Sequence, residues 1–308
     1  MKISLLSSGQ GSQYVGMLKD IYENVESAKK KINQADEILG YSLSSIMFEG
    51  PIEKLKETRY TQPALFLHSS VLTDLIKNKV NYSAVAGHSV GEYAALYAAG
   101  ALSFEEALKL VSLRGELMFK AGEYLPGTMF AIIGLEDEKV VEICKDLTEK
   151  GNGDCVVAAN FNSPGQIVVS GSADYLRNNI NAFKEAGAKM VTELIVSGAF
   201  HSPLMEPAKK DLEQAILKAN FSNTTVPVYT NVFAKPTFYK EELRNALILQ
   251  LTSPVLWTQT LLEMQKDGFD TFTEVGAGKV LQGLVKRTLK GVTMNGYDKF
   301  DDVKEVLS

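Results

Sequence analysis

The sequence predicts an α/β protein. Short apolar runs of strand character alternate along the 308 residues with longer amphipathic stretches of helical character, the alternation expected of α/β folds. Hydrophobic residues account for 45% of the chain and charged residues for 22%, so the composition is that of a globular protein and excludes a disordered or fibrous one. The formal net charge of −5 gives no global indication of nucleic-acid binding.

Four apolar runs predict buried strands of a large sheet. They span residues 3–6, 84–87, 226–230 and 271–275. Between the first two lies a helical pattern over residues 63–77, with an apolar face that includes Leu65 and Leu72. We expect Pro63 to begin this helix, because a proline at the first helical position removes only a donor that has no intrahelical partner.

The middle of the chain has its own order of elements. Strand patterns are predicted at residues 128–135, 155–160, 166–170 and 189–196, and helical patterns at residues 136–150 and 172–186. The resulting order β-α-β-β-α-β is the ferredoxin-like arrangement. We therefore predict a ferredoxin-like small subdomain over residues 126–196, inserted into a discontinuous large α/β subdomain over residues 1–125 and 197–308.

Neither the start of the chain nor its cysteines indicate export or a metal site. The apolar run at the N-terminus reaches Gly9 too early for the core of a signal peptide, and no stretch is apolar enough for a transmembrane helix. Cys144 and Cys155 lack the Cys-x-x-Cys spacing of zinc sites and redox motifs. We therefore expect a cytoplasmic protein that binds neither a membrane nor a metal.

The segment Gly87-His88-Ser89-Val90-Gly91 carries the strongest local signal. It matches Gly-x-Ser-x-Gly and lies between a predicted strand and a helical pattern, which is the context of a nucleophile elbow. The glycines relieve crowding in a sharp turn, so the Ser89 hydroxyl projects outward. Ser89 is the candidate nucleophile, and the alternative is a glycine-rich turn with an incidental serine.

A serine nucleophile needs a base, and the chain has three histidines. His68 lies on an apolar helix face and is expected to pack in the core. The His88 side chain should project away from Ser89 and support the turn. His201 follows a predicted strand in a glycine-containing loop, the place where α/β folds carry catalytic groups, so it is the candidate base. The alternative is a loop histidine with local hydrogen bonds.

No carboxylate is well placed to complete a triad. Between Ser89 and His201 the aspartates all fall within the predicted insertion, and they are Asp137, Asp146, Asp154 and Asp174. We therefore expect a Ser–His pair whose imidazole is held by another acceptor.

Two glycine-rich turns lack the spacing of nucleotide-binding loops. Gly9-Gln10-Gly11 follows the first strand without the required third glycine, and Gly276-Ala277-Gly278-Lys279-Val280 is not a Walker A loop. The first turn is either a plain tight turn or a way to aim a backbone donor or the Gln10 amide at an oxyanion. Arg114 lies near an apolar helix face and needs an anion; the sequence alone favours a salt bridge to a protein acid.

Together these segments resemble the malonyl-CoA:acyl carrier protein transacylases of fatty-acid synthesis and the acyltransferase domains of polyketide synthases. The matching segments run in order from residue 9 to residue 276: Gly9-Gln10-Gly11-Ser12-Gln13, Thr61-Gln62-Pro63-Ala64, Gly87-His88-Ser89-Val90-Gly91-Glu92, Arg114, Asn162-Ser163-Pro164-Gly165-Gln166, Phe200-His201-Ser202, Asn231-Val232, Gln250-Leu251, Pro254-Val255-x-Trp257 and Glu274-Val275-Gly276. One departure is visible, because Ser7-Ser8 stand where the family usually has Phe-Pro.

The resemblance implies an α/β-hydrolase-like core with a ferredoxin-like insertion, and it assigns catalytic roles. Ser89 would be the acylated nucleophile and His201 the general base and acid. The backbone carbonyl of Gln250 would orient the imidazole in place of an aspartate. The backbone N–H groups of Gln10 and Val90 would form the oxyanion hole.

The resemblance also assigns a substrate pocket. Arg114 would bind the free carboxylate of a malonyl group, which reverses the preference for a protein salt bridge. Phe200 would narrow the pocket against a methyl branch, and His88 is placed beside the substrate.

The implied reaction moves a malonyl group from malonyl-CoA to the phosphopantetheine thiol of acyl carrier protein through a Ser89 ester, with no cofactor. Acyl carrier protein and malonyl-CoA are the expected partners, nucleic acid is not, and a monomer is expected. Alternatives are a freestanding acyltransferase of a polyketide assembly line, a serine thioesterase or hydrolase, and a catalytically dead scaffold.

Overall fold

The computed structural model describes residues 1–307, and in this range the chain forms two β-sheets with helices packed around them. The strands in chain order are β1 Ile3–Ser7, β2 Tyr82–Gly87, β3 Gly127–Ile133, β4 Val156–Ser163, β5 Gln166–Ser172, β6 Met190–Glu193, β7 Val228–Tyr229, β8 Pro236–Thr237, β9 Thr271–Val275 and β10 Thr293–Tyr297. The α/β class predicted from the sequence is confirmed.

The helices lie between these strands along the chain. They are α1 Lys19–Asn24, α2 Glu26–Leu39, α3 Leu43–Glu49, α4 Ile52–Leu55, α5 Thr58–Ile76, α6 Gly91–Ala98, α7 Phe104–Tyr124, α8 Asp137–Lys150, α9 Ala173–Asn179, α10 Asn181–Glu185, α11 Glu206–Lys218, α12 Lys240–Gln250, α13 Trp257–Lys266, α14 Val280–Thr288 and α15 Phe300–Leu307, with a 3-10 helix at Pro203–Met205.

The larger sheet has the order β10-β9-β1-β2-β7-β8, and only its pairing of β7 with the edge strand β8 is antiparallel. Its central strands end in register, because Ser7 pairs with Gly87 on one side and with Val275 on the other. The turns that follow β1, β2 and β9 therefore meet at one edge of the sheet. In parallel α/β sheets this edge is where ligands bind.

Two helix predictions need correction. The helix predicted at residues 63–77 begins earlier, at Thr58, so Pro63 lies inside α5 and not at its start. Glu57, in extended conformation, precedes the helix, and Pro63 only removes one interior donor from a helix that is held by burial of nearly its whole surface. The helix predicted at residues 172–186 is divided at Ile180 into α9 and α10.

The smaller sheet is antiparallel and has the order β4-β5-β3-β6. Helices α8, α9 and α10 pack on it around a separate apolar core that includes Phe130, Val140, Leu176 and Phe183. Along the chain its elements follow one another as β3, α8, β4, β5, α9 with α10, and β6. This region thus has its own core beside the larger one.

The two connections between the sheets run side by side. Gly122 on α7 packs directly on the backbone of Ser197, and a Cβ atom on Gly127 would lie 2.6 Å from the Ala199 nitrogen. Side chains at these two glycines would separate the connection from α7 to β3 from the connection that follows β6. A further link pairs β4 with the segment before α13, where the Phe161 N–H donates to the Val255 carbonyl at 2.9 Å.

Among residues 1–307, no helix is both long enough and apolar enough to cross a membrane.

Candidate active site

The turn after β2 places Ser89 in a strained backbone conformation. Its φ of 51° lies in the left-handed region, which is unfavourable for a residue with a Cβ atom. Gly87 packs against the Gly91 backbone, and Gly91 packs against the Ser7 carbonyl at the end of β1. Side chains at either glycine would open this turn, so the two glycines allow the sharp strand-to-helix connection that exposes the Ser89 hydroxyl.

His201 lies against this serine. The Ser89 Oγ and the His201 Nε2 are 2.8 Å apart, and the His201 backbone also has a positive φ, of 57°. The loop before the 3-10 helix therefore holds His201 in a second strained backbone conformation. The structure brings together the two residues that the sequence proposed as nucleophile and base, although 112 positions separate them.

The carbonyl of Gln250 occupies the position of a triad acid. The His201 Nδ1 donates to this carbonyl at 2.9 Å, and because a carbonyl oxygen only accepts, the proton lies on Nδ1 and Nε2 is free to accept from Ser89. Gln250 is the last residue of α12. Carbonyls in the last helical turn have no intrahelical partner and carry the negative end of the helix dipole, which suits them to hold an imidazole.

The imidazole is neutral near physiological pH. Burial lowers the pKa of His201 to about 3, and the nearby charge of Arg114 acts in the same direction. A neutral imidazole with its Nε2 lone pair directed at a hydroxyl is in the protonation state that a general base requires.

Arg114 is buried beside the nucleophile, with 1% of its surface exposed. Its guanidinium contacts neutral groups: Nη1 donates to the Gln62 Oε1 at 2.7 Å, and Nη2 donates to the Ser89 Oγ at 3.1 Å and the Gln250 Oε1 at 3.0 Å. The salt bridge to a protein acid, which the sequence alone favoured, is therefore wrong. A buried cation held by neutral groups next to a serine is suited to bind an anionic substrate group.

Three further polar residues support this arrangement and received no individual role from the sequence. The Asn231 Oδ1 accepts from the Ser89 N–H at 2.7 Å, and its Nδ2 donates to the Gly87 carbonyl at 2.6 Å. Gln62 holds Arg114, and Glu92 accepts from the Asn231 N–H at 2.9 Å. Each belongs to a segment of the family resemblance, and their burial within apolar elements is the signal that could have singled them out.

The turn after β1 packs against the Ser89 turn. A Cβ atom on Gly9 would lie 2.7 Å from the His88 carbonyl, so the glycine allows close approach. The Gln10 side-chain amide donates to the Thr58 Oγ1 at 3.2 Å. This contact engages the side-chain amide, which is one of the two Gln10 donors considered for an oxyanion. The Gln10 backbone N–H therefore remains as the candidate oxyanion donor. Val90 immediately precedes α6, where N–H groups lack intrahelical acceptors.

The remaining two histidines have separate environments. The His88 Nε2 lies 2.8 Å from the Asn162 Oδ1, and its ring packs edge-on against Trp257; it thus connects the Ser89 turn to β4. The His68 Nε2 lies 2.8 Å from the Asp298 carbonyl, and His68 is buried in α5 as expected. Phe200 is buried next to His201, and its effect on methyl-branched substrates stays a prediction, as does contact of His88 with substrate.

No cluster of three or more histidine, cysteine, aspartate or glutamate side chains able to hold a metal ion occurs within the described part of the chain.

Comparison with known proteins identifies the family to which this chain is similar. Residues 5–304 match the model of the acyl transferase domain family. A malonyl CoA-acyl carrier protein transacylase of Haemophilus influenzae is 41% identical over 312 residues, covering 99% of both chains, and one of Bacillus subtilis is 44% identical, covering 93% of this chain and 90% of its own.

Solved structures agree with these sequence matches. An acyl carrier protein S-malonyltransferase of Vibrio cholerae superposes with a TM-score of 0.93 at 39% identity, covering 99% of this chain and 100% of its own. A malonyl-transacylase solved in complex with a type II polyketide synthase acyl carrier protein gives a TM-score of 0.93 at 36% identity, covering 100% of this chain and 99% of its own.

Proposed function

The chain belongs to the acyl transferase domain family, and from this premise we propose that it transfers a malonyl group from malonyl-CoA to the phosphopantetheine thiol of acyl carrier protein in fatty-acid biosynthesis. Relatives about 40% identical over nearly the whole chain are named malonyl CoA-acyl carrier protein transacylases. The observation that carries the proposal is the Ser89 hydroxyl, which is shared between the neutral imidazole of His201 and the buried guanidinium of Arg114.

The first half-reaction forms an ester on Ser89. Its Oγ attacks the malonyl thioester carbonyl while the His201 Nε2 takes the hydroxyl proton. The carbonyl oxygen becomes an oxyanion beside the backbone N–H groups of Gln10 and Val90; one such donor contributes about 3–4 kcal/mol of barrier lowering. The C–S bond then breaks, and the coenzyme A thiolate leaves with the proton from His201.

The second half-reaction repeats these steps with a different thiol. The phosphopantetheine thiol of the carrier protein gives its proton to His201 and attacks the ester carbonyl. The ester C–O bond breaks, and Ser89 recovers its proton from the imidazolium. The Gln250 carbonyl accepts from Nδ1 in both halves, so it stabilises the transient imidazolium without accepting a proton.

Arg114 distinguishes this function from hydrolysis of neutral esters. Its planar guanidinium matches a carboxylate with two parallel hydrogen bonds, and it lies next to the atom that carries the acyl group. A dicarboxylic half-thioester can therefore be bound at both ends, at the reacting carbonyl by the oxyanion donors and at the free carboxylate by the guanidinium.

Several finer points belong to the same proposal. The larger sheet and its helices form an α/β-hydrolase-like large subdomain, and residues 126–196 form a ferredoxin-like small subdomain; the adjacent connections at Gly122–Ser197 and Gly127–Ala199 support an insertion. The chain acts as a monomer in the cytoplasm. It uses no cofactor, because each step moves only a proton and an acyl group.

Carrier loading compared with malonate release tests the proposed function. Enzyme, malonyl-CoA and phosphopantetheinylated acyl carrier protein are incubated together, and malonyl-carrier and free malonate are quantified. We expect carrier loading to dominate and malonate release to be a minor side reaction. Dominant release of malonate would assign a serine hydrolase instead.

A further inference from the structure

Glu92 is a buried acid that the proposed reaction does not use. It lies in the first turn of α6, three positions after Ser89, with 1% of its surface exposed. Its Oε2 accepts from the Asn231 backbone N–H at 2.9 Å and from the Gln250 Nε2 at 3.1 Å. Burial of a carboxylate is costly unless other groups compensate for the lost water. These contacts therefore indicate that the buried Glu92 carboxylate has a role in the site.

The Gln250 side-chain amide connects this carboxylate to Arg114. Its Nε2 donates to Glu92, while its Oε1 accepts from the Arg114 Nη2 at 3.0 Å. An ionised carboxylate only accepts and a guanidinium only donates, so the amide satisfies both in one orientation alone. The buried cation and the buried anion are thereby joined through one amide. The Arg114 Nε has no hydrogen-bond partner among the described residues.

The other titratable groups at this end of α6 are neutral near physiological pH. Burial lowers the pKa of His201 to about 3 and also lowers the pKa of His88, so both imidazoles are uncharged. Burial raises the pKa of Tyr93, the neighbour of Glu92 on α6, so its phenol keeps its proton. Arg114, on α7, is the charged group that acts on Glu92.

The elements packed against α6 carry their other titratable groups elsewhere. Strand β1 has the sequence ISLLS and therefore no titratable side chain. On β2, the Tyr82 hydroxyl donates to the Ala98 carbonyl at the opposite end of α6. On α5, His68 binds the Asp298 carbonyl, and the Asp74 carboxylate is bound by Lys31.

We propose that Glu92 is a positioning residue for substrate binding: its carboxylate holds the Gln250 amide against Arg114 in the free enzyme and takes up a proton when a substrate carboxylate binds the guanidinium. The inference rests on the proposed role of Arg114 as the site of the malonyl carboxylate. The entering carboxylate brings a second negative charge to the same cation, and a like charge in a buried site favours the protonated acid. The proton comes from the solvent.

The free enzyme is poised for this uptake. Burial raises the pKa of Glu92 to about 7, against the opposing effects of the Asn231 N–H, the Gln250 amide and the Arg114 charge. A substrate carboxylate raises the pKa of Glu92 further, so Glu92 is partly ionised before binding and protonated afterwards at neutral pH.

Calorimetric titration with malonyl-CoA tests the linked proton. The Ser89→Ala variant binds the thioester without cleaving it, and heats measured in two buffers of different ionisation enthalpy give the number of protons taken up. We expect roughly half a proton per malonyl-CoA at pH 7 and almost none at pH 5.5, where Glu92 is already protonated. Acetyl-CoA, which lacks the free carboxylate, should bind without proton uptake.

Glu92→Gln provides the matched comparison, because it keeps an acceptor oxygen for Asn231 and Gln250 but removes the charge. In the Ser89→Ala background this variant should lose the linked proton. Glu274→Gln removes another buried acid whose pKa is raised to about 7, and it should retain the linked proton. With Ser89 intact, Glu92→Gln should lower the KM for malonyl-CoA severalfold relative to the KM for acetyl-CoA at pH 8, whereas simple structural damage would raise both.

Two results would overturn the inference: malonyl-CoA bound with no proton taken up at pH 7, or an unchanged linked proton in Glu92→Gln. The first needs no substitution at Glu92, so the test stands even if that variant does not fold. Failure of malonyl-CoA to bind at all would refute the proposed function and is thereby distinguished from failure of the inference.

Discussion

The turns after β2 and β9 lie at the same edge of the larger sheet, and both combine two glycines, a buried glutamate and a following helix. Near the end of β9, Glu274 accepts from the backbone N–H groups of Leu281 and Gln282, each at 3.0 Å, and so caps α14 from seven and eight residues away. After β2, Glu92 accepts from Asn231 and Gln250, which are 139 and 158 positions distant. The glutamate of the first unit makes local contacts, and the glutamate of the second gathers polar groups from distant parts of the chain.

This difference shows what makes a strand–turn–helix unit into a site. Both turns have the same local sequence character, but only the turn after β2 holds a serine in a left-handed conformation against an imidazole and a guanidinium. The chemistry therefore depends on the distant residues that reach the turn, and changes to those residues should affect the two regions very differently.

The largest effect expected among the distant residues comes from His201→Ala. Loss of the general base should slow acylation of Ser89 by malonyl-CoA about 10²–10⁴-fold, measured by stopped-flow release of coenzyme A. The matched control is His68→Gln, which removes another buried imidazole but keeps a hydrogen-bonding atom for the Asp298 carbonyl. If His201→Ala acylated as fast as His68→Gln, the base assignment would be wrong.

A smaller effect, on selectivity, is expected from Arg114→Ala. Truncating one partner of a buried charge-assisted contact costs about 2–5 kcal/mol, so the preference for malonyl-CoA over acetyl-CoA should fall by about 30- to 5,000-fold. Competition between the two thioesters for Ser89 measures this preference. Arg177→Ala, which removes an arginine paired with Glu193 on the smaller sheet, should keep it. An unchanged malonyl preference in Arg114→Ala would show that Arg114 does not bind the malonyl carboxylate.

The smallest effect on catalysis is expected from Glu274→Gln, which should leave kcat within about twofold and alter only the pH dependence of stability. Burial raises the pKa of Glu274 to about 7, above the value of an unfolded glutamate, so the folded protein binds the extra proton. Its contribution to stability is full below about pH 4.3 and is lost as the pH rises through 7, on the order of 3 kcal/mol.

Thermal unfolding at pH 5 and pH 8 checks this prediction for Glu274. The wild type should lose more stability than Glu274→Gln between the two values, because the variant has no carboxyl group to ionise there. Equal losses in both proteins would contradict the prediction, because they would show that Glu274 is already ionised in the folded protein throughout this range.

The sequence predicted the α/β class, the Ser89 turn and the imidazole of His201 because each depends on local pattern and on elimination among few candidates. It also predicted an acceptor other than aspartate for the imidazole. The partners of Arg114 were outside its reach, since Gln62 and Gln250 lie 52 and 136 positions away and their neutral amides have no distinctive spacing. The start of α5 was missed because the rule that places proline first in a helix competes with burial of the whole element.

Intact-mass measurement after incubation with malonyl-CoA tests the central claim most directly, that Ser89 is the acylated nucleophile. The wild type should gain the mass of one malonyl group, and Ser89→Ala should gain none. Absence of an adduct on the wild type, or the same adduct on Ser89→Ala, would contradict the account.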